Sequence, residues 1–328
     1  MKKWVFLFLI FSGFSTLAQV QRKRTVKLMG SRFDITIVAN DALTAEQRID
    51  TVIAEVTRIE NLISDWIPTT QISAVNKQAG IAPVQVDPEV FALTERALHL
   101  STITNGAFDI SFAAMDRIWK FDGSMTKMPS PEAVKKSVEK VGYQNIVLDR
   151  KKSTIFLRKK GMKIGFGALG EGYAADRCRD MMLAQGVQAG IVNGSGDMST
   201  WGRQPNGEPW TIGITNPLHR DTIFAIIPLR QSSVVTSGSY EKFVLFNGKR
   251  YAHIINPKTG YPATGLSSVT VFGPSAEIAN GFSTSVMVLG KEAGLKLLKK
   301  QPDYQYILIT DDGQIFSSPD LPIKQRRL

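Results

Sequence analysis

The chain has 328 residues, 43% hydrophobic and 21% charged, which makes it a packed globular protein with material for one large or two small domains. Forty Lys and Arg against 29 Asp and Glu give a formal net charge of +11, a balance that attracts polyanions and phosphate-bearing ligands. One cysteine, Cys178, and three histidines rule out an internal disulfide and all but exclude a thiolate or multi-histidine zinc site, so any chemistry runs on oxygens, backbone amides and a histidine.

Lys2 and Lys3 precede an apolar run from Trp4 to Phe11, and Thr16 and Ala18 are small residues placed for cleavage before Gln19. Residues 1–18 therefore read as a secretory signal peptide, and residues 19–328 as one domain. Gln19 rather than a cysteine stands directly after the cleavage point, so the protein is expected to be exported, in the periplasm or on the outer face of the inner membrane, and not as a cysteine-anchored lipoprotein. Export and the scatter of basic residues argue against nucleic acid as a partner. Loss of Lys2 and Lys3 lowers the net charge from eleven to nine.

Residues 24–39 alternate around Met29-Gly30-Ser31, which predicts a hairpin or a bulged strand. Thr44 to Gln47 reads as a capping box ahead of Ile49, Val52, Ile53, Val56, Ile59, Leu62 and Ile63, the spacing of a long amphipathic helix that ends near Asp65-Trp66. Further helices are expected over Pro88–Thr102, Pro131–Val141 and after Gly170 and Ser275. Short strands are expected at 145–149, 154–158, 161–166, 189–193, 223–228, 242–246, 250–255, 268–273 and 305–310. No repeat or linker divides the chain, and without regular βαβ alternation the pattern predicts a single α+β domain with mixed, largely antiparallel sheets.

Gly165-Phe166-Gly167-Ala168-Leu169-Gly170 is a literal GxGxxG before a helix that Gly186 would end, which taken alone suggests a dinucleotide-binding Rossmann unit. Its neighbours do not supply the remaining βαβ units, and the next strand ends in Asn193 rather than a ribose-binding acid. Bare amides at a helix start still favour a phosphate. Downstream, His253 stands just before the constrained turn Asn256-Pro257-Lys258-Thr259-Gly260. Asn280, Ser283 and Thr284 then share one helical face, three side-chain oxygens suited to a hard cation or a phosphate.

Taken in order, Met29-Gly30-Ser31, Ile63-Ser64-Asp65-Trp66, Gly106-Ala107-Phe108-Asp109, Gly167 to Asp176, Asn193 to Asp197, Ser237 to Tyr240, His253 to Pro262 and Ala279 to Thr284 resemble the FAD:protein FMN transferase family, across nearly the whole chain after residue 18. The resemblance implies an α+β fold and an exported enzyme that uses Mg²⁺ to move FMN from FAD to a serine or threonine of an acceptor flavoprotein, exported or membrane-bound. It places Met29, Trp66, Ala107, Phe108, Asp109, Gly165, Glu171 and Ile254 at the FAD, and Ala168 (through its backbone oxygen), Asn280, Ser283 and Thr284 at the metal. His253 is the candidate general base.

Bland readings stand beside these. Trp66 and Met29 suit core packing, Asp109 suits a helix cap, Glu171 suits a helix first turn by dipole alone, and His253 suits a bond to the Asn-Pro turn. Gly172 and Gly281 inside helices suggest close approach of a ligand, and Cys178 reads as buried. The chain departs from the family at Gly165, Asn256 and Asn280, where the family commonly carries aspartate. A neutral amide at position 280 implies weak metal binding without flavin. Two further readings remain open: an exported FAD-binding protein or FAD pyrophosphatase with little transfer, and a nicotinamide or flavin oxidoreductase.

Overall fold

A computed structural model describes residues 19–216, 219–229, 232–240, 242–321 and 324–325. The expected signal peptide, residues 1–18, lies outside the described residues. In chain order the elements are β1 (Val20–Leu28), β2 (Ser31–Ala39), α1 (Ala42–Ile63), α2 (Gln71–Lys77), β3 (Val84–Gln85), α3 (Pro88–Ile103), α4 (Pro131–Ser137), β4 (Ile146–Asp149), β5 (Thr154–Leu157), α5 (Gly170–Ala184), β6 (Ala189–Gly194) and β7 (Asp197–Trp201). They continue with β8 (Trp210–Asn216), β9 (His219–Leu229), β10 (Ser233–Gly238), β11 (Phe243–Phe246), β12 (Lys249–Ala252), β13 (Leu266–Gly273), α6 (Ala276–Leu289), α7 (Lys291–Leu298), β14 (Gln305–Thr310), β15 (Ile315–Ser317) and β16 (Lys324–Gln325).

The alternation after residue 19 closes into a hairpin whose turn residues Met29 (φ 52°) and Gly30 (φ 75°) are both left-handed, the geometry that matches the twist of two paired strands. From it grows an eight-stranded sheet of order β1-β2-β6-β7-β10-β13-β14-β15, with every pairing antiparallel. The expected α+β class holds, and the antiparallel sheet disposes of the Rossmann reading.

Side chains alternate across this sheet and build two cores. Phe33, Ile35, Ile37, Val192, Val235, Val269, Val271 and Leu308 face the helices and pack with the apolar stripe Ile49, Val52, Val56, Ile59 and Ile63 of α1. Val38, Val234, Phe272, Ile307 and Ile309 face the other way, against Trp210, Ile214, Ala225, Ile227 and Leu229 of the small sheet β16-β9-β8. Two central strands escape the expected pattern. β7 and β10 are rich in polar residues because Ser199 and Ser233 are buried and bonded to Asp176 of α5, at 2.5 Å and 3.0 Å.

Three local expectations are corrected. The cap of α1 is Asp41, whose carboxylate accepts from the Thr44 backbone N–H at 2.8 Å and from its hydroxyl at 2.7 Å, so Thr44 lies inside the helix and the Thr44–Gln47 box does not form. Residues 161–166 form no strand. The Asn76 side-chain amide satisfies both backbone groups of Ile164 instead, accepting from its N–H at 2.7 Å and donating to its carbonyl at 2.9 Å. Gly172 and Gly281 face protein rather than a ligand. A Cβ on Gly172 would lie 2.8 Å from the Ala276 backbone, and one on Gly281 would lie 2.6 Å from the Leu100 side chain.

Asp176 explains how α6 is aimed. Besides the two serines it accepts from the backbone N–H groups of Ala276 and Glu277 and from the Ser275 hydroxyl, so it holds the N-terminus of α6 against α5. Cys178, on the same helix, is buried with Sγ 3.8 Å from the Val52 carbonyl oxygen, and burial pushes its thiol up.

Candidate active site

Five parts of the chain meet at one cleft of about 670 Å³: the end of α1, the 107–121 segment, the glycine turn before α5, the tip of the β6–β7 hairpin with β10, and the face of α6 with the His253 turn. Of the residues singled out in the sequence, Trp66, Ala107, Phe108, Asp109, Gly165, Ala168, Glu171, His253, Ile254, Asn280 and Thr284 all line it. Met29 lines an adjoining pocket of about 320 Å³ that shares Asp65, Trp66, Gly167 and Glu171 with the cleft. Ser283 does not reach the cleft. It is fully buried, its hydroxyl donates to the Asn280 carbonyl at 3.1 Å, and it lies 2.8 Å from the Ser237 hydroxyl.

At the mouth, Trp66 is 70% exposed, which removes the bland alternative of a core plug, and the Arg117 guanidinium lies 4.3 Å from the centre of its ring. The loop bearing Arg117 is pinned by Trp119, whose indole N–H donates to the Gly260 carbonyl at 2.8 Å and whose ring stacks on Tyr251. That turn is itself braced by Asn256, whose side-chain oxygen accepts from the Lys258 and Thr259 N–H groups. The turn is thus braced from within by its own asparagine.

His253 Nδ1 lies 3.2 Å from the Lys242 carbonyl oxygen. A carbonyl only accepts, so Nδ1 carries a proton, and in the neutral tautomer that this bond selects, the lone pair is on Nε2. Asp109 is a cap, as one reading had it, and more. Its Oδ1 accepts from the Ser111 N–H at 2.8 Å and hydroxyl at 2.6 Å, and its Oδ2 from the Tyr143 N–H at 2.8 Å, which locks the 107–112 wall.

The floor carries the polar chemistry. Nothing lies within 4 Å of the point where a Cβ on Gly167 would stand. Opposite, Asn280 donates through Nδ2 to Asp197 Oδ2 at 2.8 Å, and its Oδ1 is 3.3 Å from the Thr284 hydroxyl. Burial pushes the carboxyls of Asp65, Asp109 and Glu171 above the usual range. It pushes Asp197 well above it, and neighbouring Glu171 adds to the effect. Among the described residues no group of three or more His, Cys, Asp or Glu is arranged to hold a metal. A cation here would rest on amide, hydroxyl and backbone oxygens.

Residue-by-residue reading of the sequence assigned no role to Asp65, Arg117, Asp197 or Ser237, all of which line the cleft. Three of them stood inside motifs already quoted. Arg117 had no local signal, since only the fold brings it over Trp66.

An α+β fold of this kind occurs in solved flavin transferases. The ApbE protein of Thermotoga maritima superposes with a TM-score of 0.82 at 27% identity, over 92% of this chain and 97% of its own. The flavinyl transferase ApbE of Pseudomonas stutzeri does so at 0.80 and 28% identity, over 92% and 95%. Residues 29–308 match the ApbE family. A FAD:protein FMN transferase of Treponema pallidum is 32% identical over 272 residues, 78% of this chain and 75% of its own. One from Klebsiella pneumoniae is 30% identical over 295 residues, 89% and 90% of the two chains. The chain belongs to the ApbE family and is a transferase.

Proposed function

We propose that the protein transfers FMN from FAD to a serine or threonine hydroxyl of an acceptor protein, with release of AMP and with Mg²⁺ as the cation. One observation carries the reading: the bare glycine turn and the oxygen cluster of α6, far apart in sequence, line the same cleft as an exposed tryptophan. A concave site with a flat aromatic surface and few polar groups suits a dinucleotide. Relatives at about this identity bear the name of that activity.

The donor set fits a hard cation, because Ala168, Asn280 and Thr284 all line the cleft and can offer it a backbone carbonyl, an amide oxygen and a hydroxyl. When bound there, the cation supplies positive charge to the phosphate oxygens as negative charge builds on them. The remaining steps belong to the chain. Trp66 and Arg117 offer a heterocycle a flat surface and a cation, and the open backbone at Gly167 leaves room for the diphosphate. His253 Nε2 takes the proton of the acceptor hydroxyl as its oxygen bonds to the FMN-side phosphorus, and the bridging P–O bond breaks to release AMP. Export, carried by residues 1–18, would bring the enzyme to acceptor flavoproteins in the periplasm or on the outer membrane face.

Purified protein incubated with FAD, Mg²⁺ and a candidate acceptor should release AMP and leave flavin fluorescence on the acceptor band of a denaturing gel. The neutral Asn280 favours a second reading, FAD pyrophosphatase activity, in which AMP appears with free FMN and a dark acceptor band. Absence of AMP under all conditions would sink both.

A further inference from the structure

Resting on this reading, the structure also says which residue makes the neutral donor cluster usable by a cation. An asparagine is an ambiguous ligand, because its oxygen and nitrogen ends have the same shape and only the oxygen can face a metal. Here two partners set the choice: Asn280 Nδ2 donates to Asp197 Oδ2 at 2.8 Å and the Thr284 hydroxyl donates to Asn280 Oδ1 at 3.3 Å, so the amide turns its N–H groups towards strand β7 and its oxygen towards Thr284.

The placement of Asp197 is built into the fold. It is the first residue of β7, directly opposite Gly194 at the tip of the β6–β7 hairpin. The tip is fixed by Ser195 (φ 49°) and Gly196 (φ 109°), with the Asn193 side-chain oxygen accepting from the Gly196 N–H at 2.9 Å. The backbone N–H of Gly172 on α5 is close enough to favour the charged form of the Asp197 carboxyl, which is 7% exposed. Strand, α5 and α6 therefore converge on this one group. Ser237 of β10 completes the arrangement, its hydroxyl 3.5 Å from that of Thr284.

We propose that Asp197 is a positioning residue of the cation site: through its bond to Asn280 it holds Nδ2 against strand β7 and so aims Oδ1 at the cation. The pair then works as a unit split between two elements, with the acid on the strand and the amide on the helix. Exchanging the two, Asp197→Asn with Asn280→Asp, preserves both the charge and the hydrogen bond.

The test uses full-length mature protein with Mn²⁺ as probe, its binding followed by loss of the free-ion EPR signal in the presence of FAD. FAD affinity without metal is followed by flavin fluorescence, and folding by thermal melting. Asp197→Asn is expected to weaken Mn²⁺ binding at least tenfold, while metal-free FAD affinity stays the same or tightens because a buried acid has left the diphosphate site. The exchanged double variant is expected to return to within about threefold of the parent. A merely structural role would weaken metal and FAD together and would not be rescued. Unchanged Mn²⁺ affinity in Asp197→Asn, or a double variant no better than the single, overturns the proposal. If the single variant does not fold, the double variant decides alone. Failure of the parent protein to bind FAD at all refutes the transferase reading instead, so the two failures are distinguishable.

Discussion

Replacing Gly172 by alanine would set a methyl group 2.8 Å from the carbonyl carbon and oxygen of Ala276 and 2.9 Å from the Glu277 nitrogen. Ordinary contact begins near 3.4 Å, so α5 and α6 must separate by about 0.6 Å, and neither can yield by rotating a side chain because the obstacle is backbone. The N-terminus of α6 is also held by three bonds to Asp176 that the same shift would stretch. Alanine gains about 1 kcal/mol of helix propensity, whereas overpacking against a rigid neighbour costs about 3 kcal/mol. The expected net loss is about 2 kcal/mol, or roughly 4 °C in melting temperature.

Asn280 and Thr284 ride on α6 while Ala168 and Glu171 lie at the start of α5, so the shift should also weaken metal-dependent FAD binding. Gly167→Ala is the matched opposite. No protein atom opposes its methyl group, so stability should hold or rise slightly, yet if the diphosphate lies there as proposed the methyl group should weaken FAD about tenfold, or about 1.4 kcal/mol. Urea unfolding followed by tryptophan fluorescence and FAD titration by flavin quenching measure both variants. A Gly172→Ala protein as stable as the parent, or a Gly167→Ala protein with parental FAD affinity, would refute the reasoning for that glycine.

His253→Ala should slow transfer by about 10² to 10⁴-fold with FAD affinity intact; parental single-turnover rates in the variant would remove His253 as the base. Arg96→Met should cost about 1.5–3 kcal/mol in urea unfolding, because Glu277, 6% exposed, loses its 2.7 Å partner, and a smaller change would mean that the half-exposed arginine contributes little. Cys178 should resist thiol reagents in the native state and react only on unfolding, so rapid labelling of folded protein would contradict its burial. The carboxyls of Asp65, Asp109, Glu171, Asp197 and Glu277 are raised by burial, so the native state holds protons that the unfolded chain has released, and their contribution to stability is lost as pH rises through the raised values. The urea midpoint should therefore fall as pH rises above the ordinary carboxylate range in metal-free protein, and a steady rise there would be the contrary result.

Periodicity could read what was repetitive. The stripe on α1, the opening hairpin and the strand 305–310 follow from spacing alone, because each buries one face on a regular lattice. β7 and β10 were missed for the reason that makes them useful. Their inward positions carry Ser199, Ser233, Thr236 and Ser237, polar groups that pack around Asp176 or line the cleft, so the alternation that marks a buried strand is erased. The 161–166 segment errs the other way, with the composition of a strand and no strand partner, since Asn76 takes the place of one. Site residues named from motifs were largely brought together, but the bonds that define their roles, from Asp197 to Asn280 and from His253 to the Lys242 carbonyl, cross 83 and 11 positions of sequence and have no local signature.

The charge of the cleft runs against the charge of the protein. The chain carries a net +11, yet Asp65, Asp109, Asp116, Glu171 and Asp197 line the cleft with Arg117 as the arginine among its lining residues and no lysine. A diphosphate entering that site meets repulsion on the order of 1–4 kcal/mol from each ionised carboxylate at close range. The basic surface can draw FAD towards the protein, but it cannot hold the phosphates in place. On the proposed reading that task would fall to backbone amides of the glycine turn, to Arg117 and to a divalent cation held by amide, hydroxyl and backbone oxygens. Metal and dinucleotide should accordingly bind with strong mutual reinforcement, each poorly alone, and the coupling should shrink in Asp197→Asn, which loosens the aim of Asn280. A FAD affinity indifferent to Mg²⁺ would mean that the phosphates lie elsewhere in the cleft, away from α6.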